Sequence, residues 1–184
     1  MGLAPYGNPH SEQKQRFQKI IKEHLIHIFP DGSFQLNLSH FSYPYGLRMI
    51  QDKDWVKLFG MSKRLPDTEI LQEHCDLALA IQEITEEIML LLAKEAHRLS
   101  GAKHLCLAGG VALNCVANGK LLAESDFEEI YVQAAAGDAG GALGAALAAH
   151  YIYFEQSRSG PFKDEMNGSY WGPSYTQAEI KASL

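Results

Sequence analysis

The longest regular pattern in the chain runs from about residue 68 to 99. Ile70, Leu71, Leu77, Ala78, Ile81, Ile84, Ile88, Leu91 and Leu92 recur at intervals of three and four, which places them on one face of an α-helix. Asp67 or Thr68 supplies an N-cap, and Gly101 suits a left-handed C-terminal cap. So many apolar positions predict a central, mostly buried helix. Its acidic positions, Glu83, Glu86, Glu87 and Glu95, read as a solvated face rather than a carboxylate pair.

Before that helix the pattern is broken more often. Gly2, Pro5, Gly7 and Pro9 make residues 1–9 a loop. A helix follows over 10–24, with Ser11 as N-cap and Phe17, Ile20, Ile21 and Leu25 at helical spacing. Two β-prone runs, 25–29 and 34–38, flank Pro30-Asp31-Gly32-Ser33 and predict a hairpin. Residues 39–50 are aromatic and rich in turns; 52–59 form a short helix around Trp55 and Phe59, ended by Gly60.

From 103 the period switches to βαβα. Strands are expected over 103–107 and 129–133, helices over about 111–124 and 139–156. A strand–helix–strand unit of this length implies a parallel pair with a right-handed crossover. Beyond 156 a Ser/Gly/Pro and aromatic stretch reads as linker, with a new helix starting at Thr176.

Composition narrows the classes. The chain has 184 residues, 46% hydrophobic and 21% charged, which fits one folded domain, or one with a small appendage, and excludes disorder as the main state. No apolar run reaches the roughly 20 residues of a membrane helix. The start, MGLAPYGNPH, lacks the pattern of a secretory signal. Cys75, Cys106 and Cys115 are too few for a disulfide framework, and read as buried thiols in a reducing cytoplasm. The net charge of −6 argues against a nucleic-acid partner held by bulk electrostatics.

Candidate chemistry concentrates at two strand ends. In LCLAGGVALN, 105–114, a strand runs into Gly109-Gly110 and then a helix, so the backbone can approach an anionic ligand. Asn114 lies about one turn into that helix, where its amide can contact a sugar hydroxyl or phosphate. In QAAAGDAGGALGAAL, 133–147, Asp138 stands at the next strand-to-helix junction, placed to cap the helix or bind a metal, with Gly137 beside it. Each motif alone also fits a tight turn packed for its own sake. Both lie at carboxyl ends of consecutive parallel strands, where open α/β sheets hold ligands, and together they favour a nucleotide site. The eight histidines show no H-E-x-x-H or Cys/His zinc spacing. Cys106 and Cys115 flank the glycine turn without a basic partner, so burial is expected over nucleophilic chemistry.

MGLAPYG at 1–7, LCLAGGVALNCVANGKLL at 105–122, IYVQAAAGDAGGALGAAL at 130–147 and YWGPSYTQAEI at 170–180 resemble the O-carbamoyltransferase family of nodulation and antibiotic-tailoring enzymes. The resemblance implies an α/β fold: the second lobe of an actin-like ATPase domain of the ribonuclease H-like superfamily, with the hairpin and long helix as further parts. It implies ATP, a divalent metal of the iron type, and transfer of a carbamoyl group from carbamoyl phosphate, by way of carbamoyl-adenylate, to an acceptor hydroxyl. Carried over residue by residue, Asp138 matches the aspartate metal ligand. Gly109, Gly110, Val111 and Asn114 match the nucleotide-contacting turn, and Gly7 lies near the same nucleotide. No general base can be named.

Three departures qualify the match. The family's H-x-x-x-H metal pair is absent, and it lies upstream of GLAPYG in the family; the YrdC-like domain that makes the adenylate lies downstream of YWGPSYT. Residues 1–156 are therefore expected to be the second lobe, and 157–184 a connector, within a longer protein, incomplete as a catalyst alone. Ala134 stands where the family usually has proline. A phosphotransferase or ATPase of the same superfamily, or a non-catalytic binding module, would share the glycine turns.

Overall fold

The computed structural model describes residues 1–158, 167–170 and 172–183. They form a mixed α/β chain of two compact units, Met1–Cys106 with Asn114–Tyr131, and Leu107–Leu113 with Val132–Leu184.

The first unit is built on two helices. Helix α1, Glu12–Ile20, starts where the Ser11 side chain accepts the Lys14 N–H at 3.0 Å. It continues through a wider turn over Ile21–Leu25 before the chain turns extended. Strands β1, Ile26–Ile28, and β2, Phe34–Leu36, pair antiparallel with Ile26 opposite Leu36 and Ile28 opposite Phe34. The hairpin turn needs Gly32 twice over. Its φ is +81°, and a Cβ there would lie 2.4 Å from the Leu92 amide nitrogen. Helix α2, Asp52–Phe59, has acids in its first turn and ends at Gly60 with φ 71°.

Helix α3, Gln72–Ser100, spans 29 residues and stops at Gly101 in the left-handed conformation, as its sequence requires. Its start differs from the expected Asp67 or Thr68. Asp67 itself is left-handed, and the Thr68 hydroxyl donates to the Leu65 carbonyl, so 65–68 close a turn instead. The Leu71 N–H donates to His74 Nδ1 at 2.9 Å and opens the helix four residues later. The core joins α1, α2 and α3 through Phe17, Ile21, Leu25, Phe59, Ala80 and Ile84. Phe17 and Phe59 rings meet at 5.8 Å, and Trp55 stacks beside them.

The buried face of α3 is not the apolar stripe expected. It contains Asp76, Gln82 and Glu86, whereas Ile81 and Leu92 are exposed. The acidic residues are correspondingly not a free solvated face. Glu86 is buried against Lys120, Glu83 pairs with Lys14, and Glu87 pairs with Lys22. Each partner lies far away in sequence, so helical periodicity alone assigns these acids to water.

Strands β3, His104–Leu107, and β4, Glu129–Val132, pair in a second sheet. The Glu128 N–H meets the Lys103 carbonyl at one end and the Gln133 N–H meets the Leu107 carbonyl at the other, a parallel register. Between them lies α4, Cys115–Glu124. The expected helix from Val111 is split: Gly110–Leu113 form a 3-10 turn, and Asn114 breaks it by leaving helical geometry at ψ 89°. Cys75 is buried as expected, but Cys106 and Cys115 are exposed: Cys106 lies on the exposed face of β3 and Cys115 on the outer side of the first residue of α4.

Helix α5, Asp138–Ala148, has no buried residue and continues through a wide turn to Tyr153. Helix α6, Gln177–Ser183, is opened by Thr176 and Glu179, which bond each other's N–H groups. The connector expected over 157–184 falls partly on 159–166, 171 and 184, outside the described residues. No helix among the described residues is long and apolar enough to cross a membrane.

Replacing Phe17 by Ala removes a fully buried ring from this core. It should cost about 3–5 kcal/mol, read as a lowered urea midpoint at unchanged slope.

Candidate functional site

In the second unit the two glycine-rich strand ends lie side by side. After β3 the chain turns at Gly109, with φ 99°, whose N–H donates to the Ala136 carbonyl at 2.8 Å. The Ala112 N–H returns to the Gly109 carbonyl at 3.0 Å and closes the 3-10 turn that carries exposed Val111. After β4, Gly137 is the N-cap of α5. Two motifs that are 28 residues apart in the chain (109 and 137) thus meet through backbone hydrogen bonds, as their common place at parallel strand ends predicts.

The glycines there serve different ends. At Gly140 a Cβ would fall 1.9 Å from the Ala135 carbonyl oxygen, so packing excludes any side chain. At Gly109 the positive φ excludes one. At Gly110, Gly137 and Gly141 a Cβ would meet nothing within 4 Å, and none of the three has positive φ. Neither the fold's packing nor its backbone geometry requires glycine at those three positions.

Asp138 is the first residue of α5, exposed, and does not cap it: no side-chain cap bond is made at this helix start. Capping, one of its two expected uses, is therefore not its role. Its carboxylate sits in the first turn, where it favours the helix dipole.

In the first unit Asn114 is the N-cap of α4 rather than a residue one turn inside. Its Oδ1 accepts the Ala117 N–H at 3.2 Å and Gln82 Nε2 at 3.1 Å, while its Nδ2 donates to Gln82 Oε1 at 3.0 Å. Gln82 Nε2 also donates to Glu86 Oε1 at 2.7 Å, and Lys120 closes the far side of Glu86. Asn114, Gln82 and Glu86 are 3%, 5% and 4% exposed. The Glu86 carboxylate beside Lys120 holds the ammonium above its usual pKa.

Gly7 is also in the first unit, pressed on α3. A Cβ there would stand 2.5 Å from Leu79 Cβ and 2.8 Å from the Cys75 carbonyl oxygen. On either side the chain is tied to the same helix: Gln72 donates to the Tyr6 carbonyl at 3.0 Å, and the Asn8 N–H donates to Asp76 Oδ1 at 2.8 Å. Ser11 and Gln72 also donate to the Asp76 carboxylate. Burial acts to raise this carboxyl, but the Asn8, Ser11 and Gln72 donors and the charge of Lys14 outweigh it and hold it below its usual pKa.

The family model for the carbamoyltransferase N-terminus matches residues 1–147. The chain belongs to the carbamoyltransferase family. An uncharacterized protein of Synechocystis sp. is 45% identical over 184 residues, all of this chain and 29% of its own length. Nodulation protein NolO of Bradyrhizobium diazoefficiens is 37% identical over 187 residues, 99% of this chain and 30% of its own. Nodulation protein NolNO of Sinorhizobium fredii is 38% identical over 175 residues, 94% and 22%. The chain therefore spans less than a third of the length of these relatives.

Among the described residues of this carbamoyltransferase segment, no three His, Cys, Asp or Glu side chains are grouped to hold a metal. The segment offers Asp138 as a single carboxylate and does not by itself fit a complete metal centre. The glycine turns suit a nucleotide better, since Gly110 and Gly137 leave backbone open to approach. Sequence reading missed Asp76, Gln82, Glu86 and Lys120. One signal was available: Gln82 and Glu86 are four apart and interrupt the apolar face of α3.

Because the folded pKa of Asp76 is depressed, its stabilisation is present above the unfolded value of about 3.9 and is lost as pH falls through the folded one. Asp76→Asn should lower stability at neutral pH and flatten the fall in urea midpoint as pH drops below about 4. An unchanged acid slope would contradict the assignment.

Proposed function

We propose that this carbamoyltransferase segment is the second lobe of an actin-like ATPase domain, and that within a longer protein it forms part of the site of an ATP- and metal-dependent O-carbamoyltransferase. The observation that carries the reading is the pairing of Gly109 with Ala136. It sets both glycine-rich turns at one edge of the parallel strand pair, with Gly110 and Gly137 free of any packing demand. Such an edge suits phosphate oxygens, which take N–H donors from turns and helix starts.

In this reading carbamoyl phosphate is hydrolysed to carbamate and phosphate, the carbamate displaces pyrophosphate from ATP to give carbamoyl-adenylate, and a small-molecule hydroxyl takes the carbamoyl group with release of AMP and a proton. A YrdC-like domain and an upstream lobe with the H-x-x-x-H pair complete the protein, in the cytoplasm. This segment's residues bind and orient. The Gly109–Val111 turn and Gly137 would contact the nucleotide; Gly7 and Asn114 are assigned to it by family likeness, and Asn114 caps the start of α4. Asp138 would supply one oxygen ligand to a divalent metal, iron by family likeness, with the remaining ligands coming from outside this segment; such a metal would supply positive charge for phosphate oxygens. The general base that takes the acceptor's proton lies outside these assignments.

The test uses the full-length protein, labelled carbamoyl phosphate and ATP. The reading expects label in the acceptor as a carbamate ester. ADP with a phosphorylated acceptor would replace it by a phosphotransferase. Asp138→Ala should lower both bound metal and turnover at least tenfold; survival of both would remove Asp138 as a ligand.

A further inference from the structure

The Asn114 amide lies within a hydrogen-bonded chain that has one consistent arrangement. At one end the Ala117 N–H can only donate, so it requires the Asn114 oxygen. At the other end Glu86 Oε1 accepts from the Gln82 NH2 group while Oε2 accepts from Lys120 Nζ. Between these ends Gln82 and Asn114 exchange two hydrogen bonds, 3.1 Å and 3.0 Å, each amide donating to the other. Turning either amide over would set donor against donor or oxygen against oxygen. Lys120 Nζ pairs with the Glu86 carboxylate, its side chain reaching in from the half-exposed side of α4.

This network is costly where it stands. Three polar side chains at most 5% exposed occupy positions on α3 and α4 where aliphatic packing would close the same space. A buried polar network of this kind stabilises only when every member is satisfied, and what it adds over an apolar contact is orientation. Its one connection to a candidate ligand residue is Asn114.

We infer that Gln82, locked by Glu86, is a positioning residue that sets the Asn114 amide and the first turn of α4 for nucleotide binding. It touches no ligand and acts through Asn114. The inference rests on the nucleotide reading of the glycine turns, and adds to it a residue on α3, 32 positions away in the chain.

The test is a double-substitution cycle in the full-length protein, read on ATP affinity by titration calorimetry and on hydrogen exchange of the Ala117 amide. Gln82→Leu should weaken ATP about tenfold and speed Ala117 exchange by a similar factor. Asn114→Ala should weaken ATP at least as much. The double variant should bind no worse than Asn114→Ala alone, since the two act in series. Glu83→Gln removes a comparable ion pair on the same helix and should leave both readouts within twofold of wild type.

Losses that multiply in the double variant would overturn the proposal, as would Gln82→Leu leaving Ala117 exchange within twofold of wild type. If the wild-type protein binds no ATP, the nucleotide reading falls, while Ala117 exchange still decides whether Gln82 sets the cap. Should Gln82→Leu fail to fold, Lys120→Met loosens the same chain from its exposed end. It should then speed Ala117 exchange several-fold more than Glu83→Gln, and equal effects would again overturn the proposal.

Discussion

Buried polar groups on α3 govern the first unit, because each must find a partner once it leaves water. Asp76 collects the Asn8 N–H, the Ser11 hydroxyl and the Gln72 amide, and so holds the 6–11 loop. Gln82 and Glu86, two and three turns further along, take Asn114 and Lys120. Glu83 takes Lys14 and Gln18 from the neighbouring helix. The apolar contacts of Phe17, Ala80 and Ile84 drive α1 onto α3. They are indifferent to small rotations. The Asp76 bonds fix where the loop at Gly7 stands, and the Gln82 bonds fix the cap at Asn114.

That division explains what was legible in the sequence. Signals confined to a few neighbouring residues held: the Ser11 cap, the hairpin about Pro30–Ser33, the left-handed Gly60 and Gly101, and the strand–turn pattern at Gly109. Signals that depend on distant partners did not. Glu86 looked like solvated surface because Lys120 lies 34 residues on. One local signal also failed: the start of α3 shifted because two bonds spanning three residues each, Thr68 to Leu65 and Leu71 to His74, outcompeted the expected cap. Asn114 was expected about one turn inside the helix and is instead its N-cap, bonded to Gln82 and Ala117.

The glycines show the same lesson at the candidate site. Sequence marks a glycine without saying why it is there. The fold separates Gly7, Gly32 and Gly140, each pressed by a neighbour, from Gly110 and Gly137, which nothing presses. At the second kind, packing does not account for the glycine. Asp138 belongs with it by place, exposed at the head of α5 and not used as a cap. The chain belongs to the carbamoyltransferase family and spans less than a third of the length of the relatives it matches.

The most direct measurement is hydrogen exchange of the full-length protein with and without ATP, followed at residues 107–113 and 134–141. If the two paired glycine turns face the nucleotide, amides in both segments slow together on adding ATP. Protection that appears elsewhere in a protein shown to bind ATP, and in neither turn, would contradict the account.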